Sequence, residues 1–385
     1  MGDVPPSAAS APPHTPAAAA DLRQLYEEQV RKRGFVADPA QLSAVAQLED
    51  LRRRLVSAAS SPGARLSRWL GAVTGRAPST PTRGLYLWGG VGRGKTWLMD
   101  LFFDSVPIPQ RRRRHFHRFM HDVHADLTRL RQQRSPLDAV AAGIAREVRL
   151  LCLDELYVAD IGDAMILAGL FEGLFRRGVT LVTTSNTPPD ELYRDGLQRQ
   201  RFVPAIQLLE SNLQVFRLDG ATDHRLRHLT QAGTWLAAGA PDTAARLTTL
   251  FAGLADHGVH AGGVIQINGR SIPVVRSAGG AVWFEFAALC SGPRSQEDYI
   301  EIARDYQSVI VAGVPVMGPT REDEARRFIA LIDEFYDHNV NLIVSAQAPA
   351  TGLYQGERLG AGFARTTSRL IEMQSTEYLA REHRA

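Results

Sequence analysis

The segment Gly-Leu-Tyr-Leu-Trp-Gly-Gly-Val-Gly-Arg-Gly-Lys-Thr, residues 84 to 96, constrains the fold more than any other part of the chain. Leu85 to Trp88 have the apolar character of a buried strand. Gly89 opens a G-x-x-x-x-G-K-T pattern that closes on Gly94, Lys95 and Thr96, and Trp97 to Phe103 continue with helical spacing. Strand, glycine loop and helix in that order make a phosphate-binding loop. Glycine lets the main chain curl until several N–H groups face one anion, and the helix start adds orphan donors and partial positive charge. On this reading Gly89, Gly90, Val91, Gly92, Arg93, Gly94, Lys95, Thr96 and Trp97 cradle ATP. Lys95 reaches the β- and γ-phosphates and the Thr96 hydroxyl holds Mg2+. Of 44 basic residues only Lys32 and Lys95 are lysine. Lysine at this point has a physical reason: an ammonium is a compact charge on a flexible stem, whereas a guanidinium is a fork too broad for the loop.

The rest of the composition sets bounds. A chain of 385 residues, 44% hydrophobic and 22% charged, suits a globular protein of two domains. It has no apolar run long enough to span a bilayer, so no integral membrane segment is expected. A net charge of +3 is no argument for nucleic acid. Cys152 and Cys290 sit in apolar runs and read as buried, reduced thiols of a cytoplasmic protein. Residues 1–20, rich in Pro, Ala and Ser, read as a disordered tail without the features of a secretory signal. A helical region and linker follow over 21–78, then a P-loop ATPase core over 79–221 and a helical and α/β region over 222–385. Within the first of these, Asp38-Pro39 starts a helix as N-cap and first-turn proline. Gln41 on that helix reads as a surface residue, with an adenine edge as the other option.

The second landmark is Leu150-Leu151-Cys152-Leu153-Asp154-Glu155, an apolar strand ending in two acids. Buried carboxylates are costly unless paired or on a metal. Beside a P-loop they have work: Asp154 holds the Mg2+ shell and Glu155 polarises the attacking water. Further strands are expected at 115–119, 179–184 and 213–218, with helices between them. Asn186, at the tip of the 179–184 strand, is placed to orient the lytic water. Arg111 to Arg114 read as a loop, and His115, His117, His121 and His124 lack the companions of a metal site. The alternation predicts an α/β fold: the parallel sheet of an additional-strand P-loop NTPase with helices on both faces.

The C-terminal half echoes this plan. Residues 222–257 read as helical, Ile265 to Arg270 as part of a hairpin, and strands near 282, 308 and 341 alternate with helices. Val179 to Pro188 and Val340 to Pro349 run in the same phase, and Leu192-Tyr193 matches Leu353-Tyr354. With no second P-loop, and Gly313 and Val314 standing where the acids were, this half reads either as a degenerate copy or as a coincidental likeness between two buried parallel strands.

His115-Phe116-His117-Arg118-Phe119-Met120, Cys152-Leu153-Asp154-Glu155, Asp160 to Met165, Thr184-Ser185-Asn186, Gly196 to Arg199, Phe284-Glu285-Phe286, Glu324 to Phe328 and Ser368 to Met373 together resemble the ZapE/AFG-type ATPase family, from about Gln24 to Arg381. One departure is Gly162, where the family more often carries a larger polar residue. The resemblance implies an AAA+-like ATPase. For bacterial members it implies a protein of the division site, associated with the tubulin-like division ring. For mitochondrial members it implies a membrane-linked quality-control factor. It also implies a homo-oligomer in which an arginine enters the neighbour's site. Arg201 and then Arg199 are the candidates, with Arg225, Arg365 and Arg369 as weaker nucleotide sensors. A helicase-loader-like ATPase, tracking nucleic acid with Arg111 to Arg114, is the alternative, though no aromatics interleave there to stack bases.

Overall fold

The structure is a computed structural model and describes residues 21–32, 37–60, 81–90, 92–158, 160–219, 224–255, 259–381 and 383–384. The tail, most of the linker, Val91 and the boundary positions 78/79 and 221/222 lie outside the described residues.

The first sheet contains β1 (Gly84–Trp88), β2 (Arg111–His115), β3 (Leu150–Asp154), β4 (Thr180–Ser185) and β5 (Leu213–Arg217) in the order β2-β3-β4-β1-β5. Every pairing is parallel. β4 therefore stands between the P-loop strand and the acidic strand, as the additional-strand plan requires. Alternate residues face opposite layers. Tyr86, Leu151, Leu153 and Leu181 join Phe171, Leu174 and Phe119 on one side. Leu85, Leu87, Cys152 and Val182 join Trp97, Leu98 and Phe102 on the other. Burial on both faces explains why the strands are continuous apolar runs. The helices Leu22–Lys32 and Pro39–Ser60 pack onto this second face through Tyr26, Val45 and Leu48, so they share a core with the P-loop strand.

Two expectations are corrected in this unit. The second strand is Arg111–His115, and a helix, Phe116–Arg129, begins where the strand was expected. Phe116, Phe119, Met120 and Val123 are all buried, a 3–4 spacing that belongs to a helix face. The arginine run is not a loop but the sheet's edge strand, where charge is tolerated on residues with only one neighbouring strand. After Pro188 the chain makes a single 3-10 turn, Pro189–Glu191.

Six more strands form the second sheet: β6 (Trp235–Ala237), β7 (His260–Ala261), β10 (Arg276–Ala278), β11 (Ala281–Glu285), β12 (Ser308–Val314) and β13 (Asn341–Ala346). A separate hairpin, β8 (Val264–Ile267) and β9 (Arg270–Pro273), turns through Asn268 and Gly269, both at positive φ. The second sheet runs β6-β13-β12-β11-β10-β7, parallel from β6 to β11. The order β1-β4-β3-β2 of the first sheet thus returns as β6-β13-β12-β11. The likeness reaches atomic detail. Gly178 and Asn339 both stop a helix in the left-handed region just before the fourth strand, and the following Val179 and Val340 donate back to Leu174 O and Phe335 O. β6 is a strand inside the stretch expected to be wholly helical. With only Trp, Leu and Ala in it, so short a piece carries no period that separates strand from helix.

Where β3 ends in Asp154 and Glu155, the matching register of β12, set by Ser308 opposite Asn341 as Leu150 is opposite Thr180, holds Ala312 and Gly313. No acid stands at these two positions, yet the backbone device is the same: Gly313 N–H donates to Ser345 Oγ at 2.9 Å as Glu155 N–H donates to Thr184 Oγ1 at 3.0 Å. At this sheet's strand ends Gln347 Oε1 accepts from Val316 N–H, and Ala238 N–H donates to Ala346 O, so these groups are used within the protein.

Asp305, on the helix Gln296–Asp305, ties the second unit to the first. Its carboxylate accepts from Arg118 Nε at 3.1 Å and lies 2.6 Å from His117 Nε2. Burial, the largest influence, would raise its pKa, but the hydrogen bonds and charges of His117 and Arg118 outweigh it and hold the carboxyl below the usual range. A depressed folded pKa means stability present above the unfolded value and lost as pH falls through the folded one. Asp305→Asn is expected to lower the unfolding temperature at pH 7. That deficit should shrink below about pH 4, the ordinary carboxylate range, as measured by thermal melts across pH.

Candidate functional site

The carboxyl ends of β1, β4 and β3 meet in one place because their register is parallel and unbroken: Trp88 lies beside Ser185, and Thr183 beside Leu153. The P-loop leaves β1 under tight constraint. A Cβ at Gly89, φ 153°, would come within 2.5 Å of Leu218 O. Gly94, at φ 86°, precedes the helix Lys95–Ser105 in a left-handed conformation that glycine adopts at little cost. The N–H groups of the first helical turn, those of Thr96 and Trp97 among them, then point out of the helix start. Lys95 is buried, and its Nζ donates to Gly89 O at 2.7 Å and Gly90 O at 2.8 Å, folding the ammonium onto its own loop. Trp97 buries its indole against Tyr26, ring centroids 5.2 Å apart, so its contribution to a ligand is its main chain.

Gln41 is corrected from the surface to the interior: it is 5% exposed. Its Nε2 donates to Arg93 O at 2.8 Å, and its Oε1 accepts from Tyr26 O–H at 2.9 Å. A Cβ on Gly94 would lie 2.8 Å from the same amide nitrogen. The N-terminal helices therefore brace the phosphate loop from behind. Nothing local in the sequence marks this, since Gln41 and Arg93 belong to separate segments.

On β3, Asp154 is 1% exposed. Its Oδ2 accepts from Arg113 Nε at 2.5 Å, while Oδ1 is buried with no hydrogen-bond partner among the described residues. A buried carboxylate oxygen left without a donor is costly, and a hard divalent cation suits it. The donor set of Asp154 and Thr96 thus fits Mg2+. Glu155 follows at φ 55°, a left-handed conformation that costs a non-glycine residue on the order of 1 kcal/mol. The tip of β4 holds it there. Thr184 Oγ1 accepts Glu155 N–H, Thr184 O accepts Leu156 N–H at 2.8 Å, and Ser185 Oγ donates to Leu156 O at 2.8 Å. These hydroxyls are site-forming residues that the sequence reading passed over in favour of their neighbour Asn186, which follows Ser185 half-buried beside the start of the P-loop. Glu155 also lines a cleft with His115, Phe116, His117 and Tyr157.

The histidines disperse. His115 ends β2 opposite Asp154, His117 meets Asp305, and His124 lies 2.6 Å from Asp163, while His121 is exposed. Arg199 and Arg201 occupy one 3-10 turn. Arg199 donates to Asp190 O at 2.5 Å within its own subunit, and Arg201 is exposed. Arg365 and Arg369 both pair with Asp333 on the helix Glu322–Asp337, at 2.7 and 2.5 Å. The side chain of Arg225 lies outside the described residues. Among the described residues no helix is long and apolar enough to cross a membrane.

The family model for AFG1-like ATPases matches residues 21–382. The cell division protein ZapE of Escherichia coli (strain K12) is 47% identical over 367 residues, which cover 94% of this chain and 97% of that protein. Lactation elevated protein 1 homolog B of Danio rerio is 38% identical over 344 residues, covering 77% of this chain and 68% of that one. Among solved structures, AMPPCP-bound DnaA from Aquifex aeolicus aligns over 52% of this chain and 54% of its own at 14% identity and a TM-score of 0.34, too slight a likeness to carry an argument.

Two substitutions separate the supports of the site. Gln41→Leu, which removes both hydrogen bonds behind the loop, is expected to raise the nucleotide Kd about three- to tenfold. Thr184→Val is expected to leave that Kd within about twofold and to lower kcat roughly tenfold by releasing Glu155. Fluorescent-nucleotide titration and steady-state ATPase assays check both.

Proposed function

Because this chain belongs to the AFG1-like ATPase family, we propose that its ATPase cycle is Mg2+-dependent, runs at residues 89–96, 154 and 155, and drives conformational work on a protein partner. The observation that carries this reading is the orphaned Oδ1 of Asp154 at the carboxyl end of β3, two strands from the P-loop. In the cycle the loop amides and Lys95 bind the triphosphate, the ammonium leaving the carbonyls of Gly89 and Gly90 for the β- and γ-phosphates. Thr96 and Asp154 would hold Mg2+, whose charge would offset that building on the phosphates. Glu155 takes a proton from the attacking water, and the products are ADP and inorganic phosphate. Asn186 orients that water from the tip of β4.

The chain acts as a homo-oligomer. Arg201 of one copy reaches the phosphates bound by the next, a role for which its exposure suits it better than Arg199, whose guanidinium is engaged at home. The cell-division role in the name of the Escherichia coli relative supports the tubulin-like division-ring protein as partner. On that reading the protein works in the cytoplasm and is recruited to the division site. The nucleic-acid alternative loses its main support in β2. There Arg111 donates to Phe103 O at 2.5 Å, Arg112 pairs with Glu147 at 2.5 Å, and Arg113 is committed to Asp154.

Lys95→Ala is expected to abolish nucleotide binding. Glu155→Gln should bind ATP normally and lose about a hundredfold or more in kcat. Arg201→Ala should lose on the order of a thousandfold and regain activity when mixed with Lys95→Ala, each supplying what the other lacks. ATP-loaded Glu155→Gln should retain the purified division-ring protein on a column. Native turnover in Glu155→Gln would refute its role, and equal retention with and without ATP would refute the coupling.

A further inference from the structure

The edge strand β2 sends one cation into the metal side of the site. Arg113 lies opposite Cys152 in the register of β2 with β3, and it is largely buried, its side chain 19% exposed. Its guanidinium forms ion pairs with two carboxylates from different elements. One is Asp154 on β3, through Nε to Oδ2 at 2.5 Å; the other is Asp100, on the first turns of the helix that follows the P-loop. A further nitrogen is 3.5 Å from the main-chain oxygen of Thr96. Asp100 and Asp154 are 6% and 1% exposed, so neither charge is well served by water. Two buried carboxylates around one guanidinium, with the Lys95 ammonium at the start of the same helix, bring the local charges into balance. Asp154 is left offering a single oxygen, Oδ1.

We propose that Arg113 is a positioning residue that makes metal capture conditional on nucleotide: by neutralising Asp100 and holding Asp154 through Oδ2, it keeps the empty pocket too nearly neutral to bind a divalent cation, so that the cation enters only with the negative charge of a triphosphate. The physical warrant is Coulombic. A divalent cation loses part of its hydration on binding, and a carboxylate already paired with a guanidinium returns little of that cost. Four further negative charges arrive with the nucleotide and change the balance. The consequence is an order of events: the empty site does not fill with metal ahead of ATP, and metal departs with product. This inference rests on Asp154 as the metal carboxylate.

The test uses Mn2+ as the probe, with binding read by the loss of its free-ion paramagnetic resonance signal, on the full chain without nucleotide at pH 8. The native protein is expected to show no binding at submillimolar Mn2+ and to gain it when a non-hydrolysable ATP analogue is added. Arg113→Met should bind Mn2+ without nucleotide at least about tenfold more tightly than the native chain, because a guanidinium charge a few ångströms away has been removed. Arg113→Lys, which keeps the charge, should behave like the native chain. In Arg113→Met/Asp100→Asn the surplus charge is gone and the nucleotide-free affinity should fall back. If Arg113→Met does not fold, Arg113→Gln, whose neutral amide can still donate to Asp154, carries the same expectation. A structural defect alone would weaken metal binding instead of strengthening it. Native-level affinity in the folded charge-removing variant, or tight Mn2+ binding by the native chain without nucleotide, would overturn the proposal. Failure of the underlying reading looks different: Mn2+ affinity gained in Arg113→Met and retained in Arg113→Met/Asp154→Asn would show that the metal does not sit on Asp154.

Discussion

Parallel pairing of β1, β4 and β3 is the constraint from which the site follows. Parallel strands expose all their carboxyl ends on one side, and ligands of such sheets sit there. Here the register sets Trp88 beside Ser185 and Leu153 beside Thr183, so the glycine loop, the hydroxyls of β4 and the two acids emerge together. Each then acts on the next. Thr184 at the tip of β4 accepts the N–H groups of Glu155 and Leu156 through its hydroxyl and its carbonyl, which holds Glu155 in a left-handed conformation, and the edge strand β2 supplies Arg113 to Asp154. A slip of one residue in β4 would invert which side chains face the core and would withdraw Thr184 from Glu155.

The second sheet shows how much of this frame is independent of chemistry. The four-strand order, the left-handed stop before the fourth strand and the hydroxyl-to-amide bond behind β12 persist where Ala312 and Gly313 replace the acids. Its core is as thoroughly buried as that of the first unit, with Phe284, Phe328 and Phe335 fully enclosed. A frame kept for packing rather than catalysis needs apolar strands and helix stops, and those are what remain. Its link back to the ATP-binding unit runs through Asp305, which meets His117 close to the cleft that Glu155 lines.

Local signals were legible in the sequence and tertiary ones were not. The P-loop is a run of neighbours whose spacing states its geometry, and two acids at the end of an apolar strand are conspicuous for the cost of burying them. The echo between the two halves was legible for the same reason, as matched apolar runs ending in matched turns. Gln41 was not, because its partner Arg93 belongs to another element and a glutamine on an amphipathic helix has no mark of burial. Arg113 was hidden among four arginines whose alternation, inward to Asp154 and outward to Glu147, exists only once β2 is seated at the sheet edge. β6 was missed because three small or apolar residues carry too little pattern to distinguish strand from helix.

The central claim is that ATP and its metal occupy the space bounded by the 89–96 loop and the acids at the end of β3. A structure of the chain with Mg2+ and a non-hydrolysable ATP analogue measures this directly. The account predicts the Lys95 ammonium withdrawn from the carbonyls of Gly89 and Gly90 and placed on the phosphates, with Asp154 Oδ1 facing the metal. Lys95 still folded on its own loop, with the nucleotide bound at the strand ends of the second sheet, would contradict it.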